Sequence, residues 1–360
     1  MPNAHRTASA VRAPGPRLVS FIGLFVAAVI ALESIAFAQA PWARRPRVSD
    51  ALVRAHMDML ASDALNGRAS GTRDEWIAAT YVASQLGRLG LEPLGDNGTF
   101  IQEIQTPPRP ARGRGTGAAS SAPDAVAPAP QPGRTWNVVA RLRGADRTRS
   151  TETIVIGAHL DHVPPRGTSG DTVFNGADDN ASGVTAVLEL ARVLAWGARP
   201  RRSIVFAWFG SEETGGQGSR HFIDHPPVPL SDIVADLQFE MIGRPDPAVP
   251  NGTLWLTGFE RSTLGAELVR RGARLVADPH PDQKFFERSD NIAFARRGVV
   301  AHTVSSYGLH REYHTPADEI SRIDFPHMVR AIQSMVEPLV WLANTRVTPA
   351  WHPGQSPARP

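Results

Sequence analysis

The sequence predicts an α/β protein built on a β-α-β unit whose central strands are buried on both faces. Three observations predict it. Segments 136–142, 152–157 and 204–209 are near-continuously apolar, the pattern of strands covered on both sides. Segment 181–196, between the second and third of these, places Val184, Val187, Leu188 and Ala191 on one helical stripe. Finally, His and acidic residues stand where predicted strands stop, at HLDH (159–162), SEET (211–214) and EMIGR (240–244). Open α/β sheets bind ligands at those carboxyl ends.

The remaining segments follow in chain order. Residues 1–40 read as a cleaved targeting segment: Arg6, Arg12 and Arg17 precede the apolar run 21–32, and Ala38-Gln39-Ala40 fits a small-residue cleavage site. That run is shorter than the ~20 residues of a membrane span, so the mature protein is expected to be periplasmic or secreted, without stable membrane association. The chain has no Cys, so its export would not be accompanied by disulfides, and its core and any bound metal must hold it. Residues 48–89 carry helical apolar spacing in two segments joined by the loop LNGRASG (65–71), read as a connector. Segment 106–134 is dominated by Pro, Ala, Gly and Arg and is expected to be a disordered insertion, too poor in strand formers to be a domain of its own. Further strands are predicted at 233–241, 254–257 and 299–305, with helices at 262–275, 289–296 and 324–342. The Pro-rich segment 348–360 is expected to fray. One domain, 41–347, results.

Composition narrows the function. Of 360 residues, 42% are hydrophobic, enough for a sizeable core. The formal charge is +3, but Arg and acids are interleaved and no long basic run occurs. A nucleic-acid partner is therefore not expected.

The chemistry concentrates around GADDNASG (176–183). Asp178 and Asp179 are adjacent acids at a turn that opens a helix, and in a dry crevice their repulsion needs a cation or several hydrogen bonds. Taken alone, the segment reads equally well as a solvated helix cap; its neighbours favour a metal. His159 and Asp161, two apart on an extended segment, project to one side, so that one can ligate while the other holds the imidazole. Asp179 suits a carboxylate bridging two ions ~3.5–4 Å apart, with Asp178 turned away. Glu212 and Glu213 are adjacent and diverge, so one can bind metal while the other acts as general base. Glu240, inside QFEMIG, is costly unless paired or metal-bound. His314, in YHTPADE, completes the donor count, with Asp318 placed to support it. Tyr307 can donate to an oxyanion or simply pack. His302 reads as a satisfied core histidine, Arg311 as a solvated loop residue, and Ser289-Asp290 as a helix cap without a chemical role.

The ordered set of H-x-D, GADDNASG, the Glu-Glu pair, the acid before MIGR and YHTPADE resembles the M28 family of zinc aminopeptidases, over about residues 49–344. The resemblance implies a three-layer α/β/α sandwich around a mixed, mainly parallel central sheet. It also implies two zinc ions held by His159, Asp179, Glu213, Glu240 and His314, with Asp179 bridging. Glu212 would be the general base, Asp161 the residue behind His159, and Tyr307 an oxyanion donor. In many relatives the bond after the bridging Asp is cis, which here is Asp179–Asn180. Many members carry Asp where this chain has Glu240, so the second position has a longer reach. The implied activity is hydrolysis of N-terminal peptide bonds in peptides or proteins with a free N-terminus. A zinc glutaminyl cyclase shares this fold and donor set with one metal, a carboxypeptidase or dipeptidase differs in the terminus it receives, and a binding module would have lost its metal.

Overall fold

The computed structural model describes residues 47–106, 133–167 and 169–357. The targeting segment and nearly all of the expected insertion lie outside the described residues. Among the described residues no helix is long and apolar enough to cross a membrane.

The strands are β1 (Glu92–Pro93), β2 (Ile101–Thr106), β3 (Gly133–Leu142), β4 (Thr153–His159), β5 (Ser203–Phe209), β6 (Ile233–Phe239), β7 (Leu254–Leu256), β8 (Leu275–Ala277) and β9 (Ala301–Ser305). They form a nine-stranded sheet in the order β1-β3-β5-β4-β6-β9-β7-β8, with β2 also on β3. The four strands β5, β4, β6 and β9 are mutually parallel. Antiparallel pairings join β3 to β5 on one side and β7 to β9 on the other. The sheet is thus mixed, with its parallel character concentrated at the centre.

The helices are α1 (Asp50–Leu60), α2 (Arg73–Arg88), α3 (Gly183–Ala195), α4 (Gln217–Asp224), α5 (Leu264–Arg270), α6 (Asn291–Ala295) and α7 (Phe325–Asn344). Their starts follow from local chemistry: Ser49, Thr72 and Asp324 accept from the backbone N–H of Leu52, Glu75 and His327, capping α1, α2 and α7. Strand alternation then sorts the core into two layers. Ile204, Phe206 and Trp208 of β5 face a cluster containing Met57, Leu86, Val187, Leu268 and Leu339, from α1, α2, α3, α5 and α7. Val205, Ala207 and Phe209 face Phe222 of α4 and Phe294 of α6. The result is the α/β/α sandwich, with α3 forming the crossover from β4 to β5.

The structure departs from the sequence reading at the periphery. Strands β1, β2 and β8 and helix α4 were not expected. The helix predicted over 262–275 stops at Arg270, turns at Gly272 with φ of 97°, and continues as β8 beside β7. The edges of the expected insertion are ordered: Thr106 pairs with Gly133, closing β2 onto β3. The segment after Thr348 is held down rather than frayed from Ala350 to Gln355. Ala350 N–H donates to Thr263 Oγ1 at 3.1 Å, and Trp351 donates to Gly298 O at 3.1 Å while packing on Phe286 and His302.

What positions the site is the strand order. The chain leaves β4 for β5 on one side and later reaches β6 on the other, so β4 lies at a point where connections diverge, and a crevice opens past its carboxyl end.

Candidate metal centre

His159 is the last residue of β4, Glu212 and Glu213 follow β5, and Glu240 directly follows β6. Three neighbouring parallel strands therefore deliver these groups to one edge. Asp179 arrives from the turn that enters α3, where the Asp179–Asn180 bond is cis. Asn180 fixes that turn to the end of β6: its Oδ1 accepts from Gly183 N at 3.0 Å and Met241 N at 3.1 Å, and its Nδ2 donates to Phe239 O at 3.0 Å. The approach is close enough that a Cβ on Gly183 would lie 2.1 Å from Phe239 O. Asp178 is turned away, accepting from Gly243 N at 2.8 Å and lying 3.0 Å from His310 Nε2.

The donors gather around Asp179 in two groups. Ligand atoms of His162, Asp179, Glu213 and His314 lie within 4.8 Å of one another, as do those of His159, Asp179 and Glu240. Asp179 belongs to both, as a bridging carboxylate must. Its Oδ1 is 3.2 Å from His159 Nε2, and its Oδ2 is 3.0 Å from His314 Nε2. Glu212 stands with His159 and Glu213 in a third overlapping group. Each of the five residues expected to bind metal is thus placed at this edge.

Electrostatics marks the crevice as short of positive charge. Burial is the largest influence on Asp161, Glu240 and Asp318 and raises each to about 7. It also raises Glu212 well above the usual carboxylate range. At Asp179 burial acts the same way, but hydrogen bonds from His159 and His314 outweigh it and hold the carboxyl well below its ordinary value. Those histidines keep their protons against buried carboxylates; burial lowers His314, yet Asp179 and Glu213 carry it to about 9. Among the described residues Glu240 Oε2 is buried without a hydrogen-bond partner. A mixed His/carboxylate donor set with excess negative charge and an unpartnered carboxylate oxygen fits divalent zinc.

Several expected roles change. Asp161 was expected to hold His159 through its carboxylate, but His159 Nδ1 instead meets the backbone oxygen of Asp161 at 3.1 Å, and the carboxylate lies 4.0 Å away. That carboxylate accepts from Glu212 N at 2.9 Å, so it aims the Glu-Glu pair. Asp318 does not support His314; it accepts from the backbone N–H groups of Asp178 and Asp179 at 3.0 Å. Asp290 makes no cap hydrogen bond to α6 and is buried near the crevice, where burial raises its carboxyl. Tyr307 lines the pocket with Asp179 and Glu212, its ring against Phe285 and Tyr313; burial raises its hydroxyl to about 12. His302 is a core residue as expected, with Ser262 Oγ and Thr257 O each 2.7 Å from its ring nitrogens.

The sequence reading missed His162 and Arg68. His162 was visible in HLDH, one residue past the matched H-x-D. Arg68, in the loop read as a connector, is fully buried with φ of 53°. Its guanidinium donates to Leu60 O and Asn175 O at 2.6 Å and to Leu160 O and Gly176 O at 3.2 Å. It thus pins the segment after His159 to the one that leads into Asp179.

Known proteins bear on this arrangement. A leupeptin-inactivating enzyme from Streptomyces exfoliatus is 30% identical over 230 residues, which is 62% of this chain and 43% of that protein. The chain spans less than half the length of this and several other curated relatives. A zinc aminopeptidase from Bacillus subtilis superposes with a TM-score of 0.64 at 16% identity, over 84% of this chain and 97% of that one. A glutaminyl cyclase from Porphyromonas gingivalis does so with 0.57 at 17%, over 81% and 98%. These two likenesses concern the fold. The model of peptidase family M28 matches residues 137–339, the span that runs from within β3 through most of α7 and carries every residue of the two donor groups. The chain belongs to peptidase family M28.

Proposed function

We propose that this protein is an exported two-zinc aminopeptidase that hydrolyses the first peptide bond of substrates with a free N-terminus. The observation that carries the reading is the pair of donor groups sharing Asp179, set beside Glu212 in one pocket. One position would be held by His159, Asp179 and Glu240, and the other by Asp179, Glu213 and His314. Bound zinc would polarise the scissile carbonyl and lower the pKa of a water molecule.

The remaining work falls to the chain. Glu212, raised by burial and hydrogen-bonded through its N–H to Asp161, takes a proton from the attacking water and returns it to the leaving amine. Tyr307, in the same pocket, supplies its hydroxyl to the developing oxyanion. Met241, Trp255 and Phe285 line that pocket and receive an apolar side chain at the substrate's first position. The buried carboxylates of the crevice attract the free α-ammonium, which supports aminopeptidase over carboxypeptidase polarity.

The test is metal content of the purified mature protein, with hydrolysis of aminoacyl-nitroanilides before and after chelation. The expected result is about two zinc ions per chain and loss of hydrolysis on chelation. Glu212→Gln should retain the metal and lose roughly 10²–10⁴-fold in kcat. One zinc with cyclisation of N-terminal glutaminyl peptides would overturn the reading in favour of an acyltransferase. Cleavage of N-terminally blocked peptides from their carboxyl end would reverse the polarity.

A further inference from the structure

We propose that His162 is a fourth protein ligand at the Glu213/His314 position, which makes the two metal positions unequal: one filled by protein donors, the other open to substrate. The inference rests on the two-zinc reading above and concerns a residue outside the five-ligand set.

The geometry is that of a coordination polyhedron. His162 Nδ1 is 3.0 Å from Glu213 Oε1 and 3.7 Å from Asp179 Oδ2. His314 Nε2 is 3.0 Å from each of the same two oxygens. Zinc bonds of about 2.0–2.2 Å in a tetrahedron place neighbouring donors about 3.3–3.6 Å apart. The four observed separations bracket that edge. The rings of His162 and His314 meet nearly at right angles, with centroids 5.4 Å apart, so the two nitrogens converge on one point rather than stack.

The local fold is built for this ring. His162 is fully buried, and among the described residues its other nitrogen, Nε2, has no hydrogen-bond partner, so the imidazole's polar engagement is on the side facing Glu213 and Asp179. Gly176, at φ of 55°, leaves the room: a Cβ there would lie 2.6 Å from His162 Cδ2. A backbone bridge to Ala69 holds the His162 segment from the other side. Among the described residues no further histidine joins the second group of His159, Asp179 and Glu240, and Glu212 groups with His159 and Glu213 rather than with Asp179 and Glu240. Four protein donors close a zinc site, whereas three leave a position for water or substrate. The open position is therefore the one held by His159, Asp179 and Glu240; carboxylates of both positions, Glu240 and Glu213, reach the pocket, whereas His162 stands behind them.

The test uses the full-length mature protein loaded with cobalt(II), and counts exchangeable, strongly shifted imidazole N–H resonances by proton NMR. His162→Ala removes the ring, and His162→Asn keeps a hydrogen-bond donor near the Nδ1 position without an imidazole nitrogen; circular dichroism checks that both fold. The expected result is two metals per chain and three shifted imidazoles in the wild type, falling to two in both variants. Competition with a chromophoric chelator should show one metal held much more tightly than the other in the wild type. Both variants should weaken that metal by more than the 10–100-fold typical of a lost supporting hydrogen bond. Two shifted imidazoles in a wild type that holds two metals, with His162→Asn retaining wild-type affinity, would make His162 a hydrogen-bond donor to Glu213. That outcome overturns the inference and leaves the two-zinc reading intact. Fewer than two metals in the wild type overturns both.

Discussion

At the residue scale, two buried cationic or titratable side chains outside the metal donors have measurable consequences. Arg68 spreads its fork over four backbone carbonyls from Leu60, Leu160, Asn175 and Gly176. Burial lowers it to about 10, which leaves it charged at neutral pH amid Asp161, Asp179, Glu213 and Asp318. A lysine keeps the charge but presents its donors from one point, so Arg68→Lys leaves some of these carbonyls unpaired in the interior. A loss of roughly 2–4 kcal/mol in urea unfolding is expected; a change below about 0.5 kcal/mol would mean the fork is dispensable. His302 carries a pH effect. Burial lowers it from 6.5 to about 4, so the folded state keeps it neutral where the unfolded chain protonates it. Its contribution, about 3 kcal/mol, is fully present above pH 6.5 and is lost as pH falls from 6.5 towards 4. In His302→Asn the unfolding free energy should fall less steeply across that window, by up to one proton in slope. An unchanged slope would show that other groups set the acid sensitivity.

At the element scale, the entry of α3 against the end of β6 sets the distance between Asp179 and Glu240, and Asn180 is the joint. Asn180→Asp keeps the acceptors for Gly183 and Met241 but replaces the donor to Phe239 O with a carboxylate oxygen. The expected cost is about 1–3 kcal/mol in denaturant, accompanied by weaker zinc binding, because the same displacement moves Asp179. Zinc affinity unchanged at reduced stability would uncouple the joint from the site. This element also shows what the sequence could reveal. Strands β3, β4 and β5 and helix α3 were legible because burial on both faces leaves near-continuous apolar runs, and a helix on one face leaves a stripe. Helix α4 was hidden by its Gly-rich start, Gly215-Gly216-Gln217-Gly218, which reads as flexible until Phe222 is seen packing on Phe209. β8 is only three residues long, paired to an equally short β7. The adjacent acids of the site were legible from their mutual repulsion. The work of Arg68 was not, because three of its four partners lie 92 to 108 positions away in sequence, and no local pattern records such contacts.

At the scale of the whole molecule, the donor groups are drawn from β4, the α3 entry, the ends of β5 and β6, and the loop after β9, so the centre ties together segments spread from residue 159 to residue 314. The chain has no disulfide to do this. Without a cation, the carboxylates at Asp179, Glu212, Glu213 and Glu240 face one another, and protons on His159 and His314 only partly offset them. A metal that binds the native state alone stabilises it by the logarithm of its concentration over Kd, about 4 kcal/mol at a thousandfold excess. In a domain of this size each kcal/mol moves Tm by roughly 2 °C, so chelation should lower Tm by about 5–10 °C and zinc should restore it. Asp179→Asn, which removes the shared ligand, should melt at the same temperature with and without chelator. The loss should also be local. Hydrogen exchange should accelerate on chelation at the carboxyl ends of β4, β5 and β6 and at the start of α3, while the amino ends of those strands, packed between two helical layers, stay protected. A uniform acceleration would mean that the metal stabilises the fold as one cooperative unit, and an unchanged Tm in metal-loaded protein would place the ions outside this crevice.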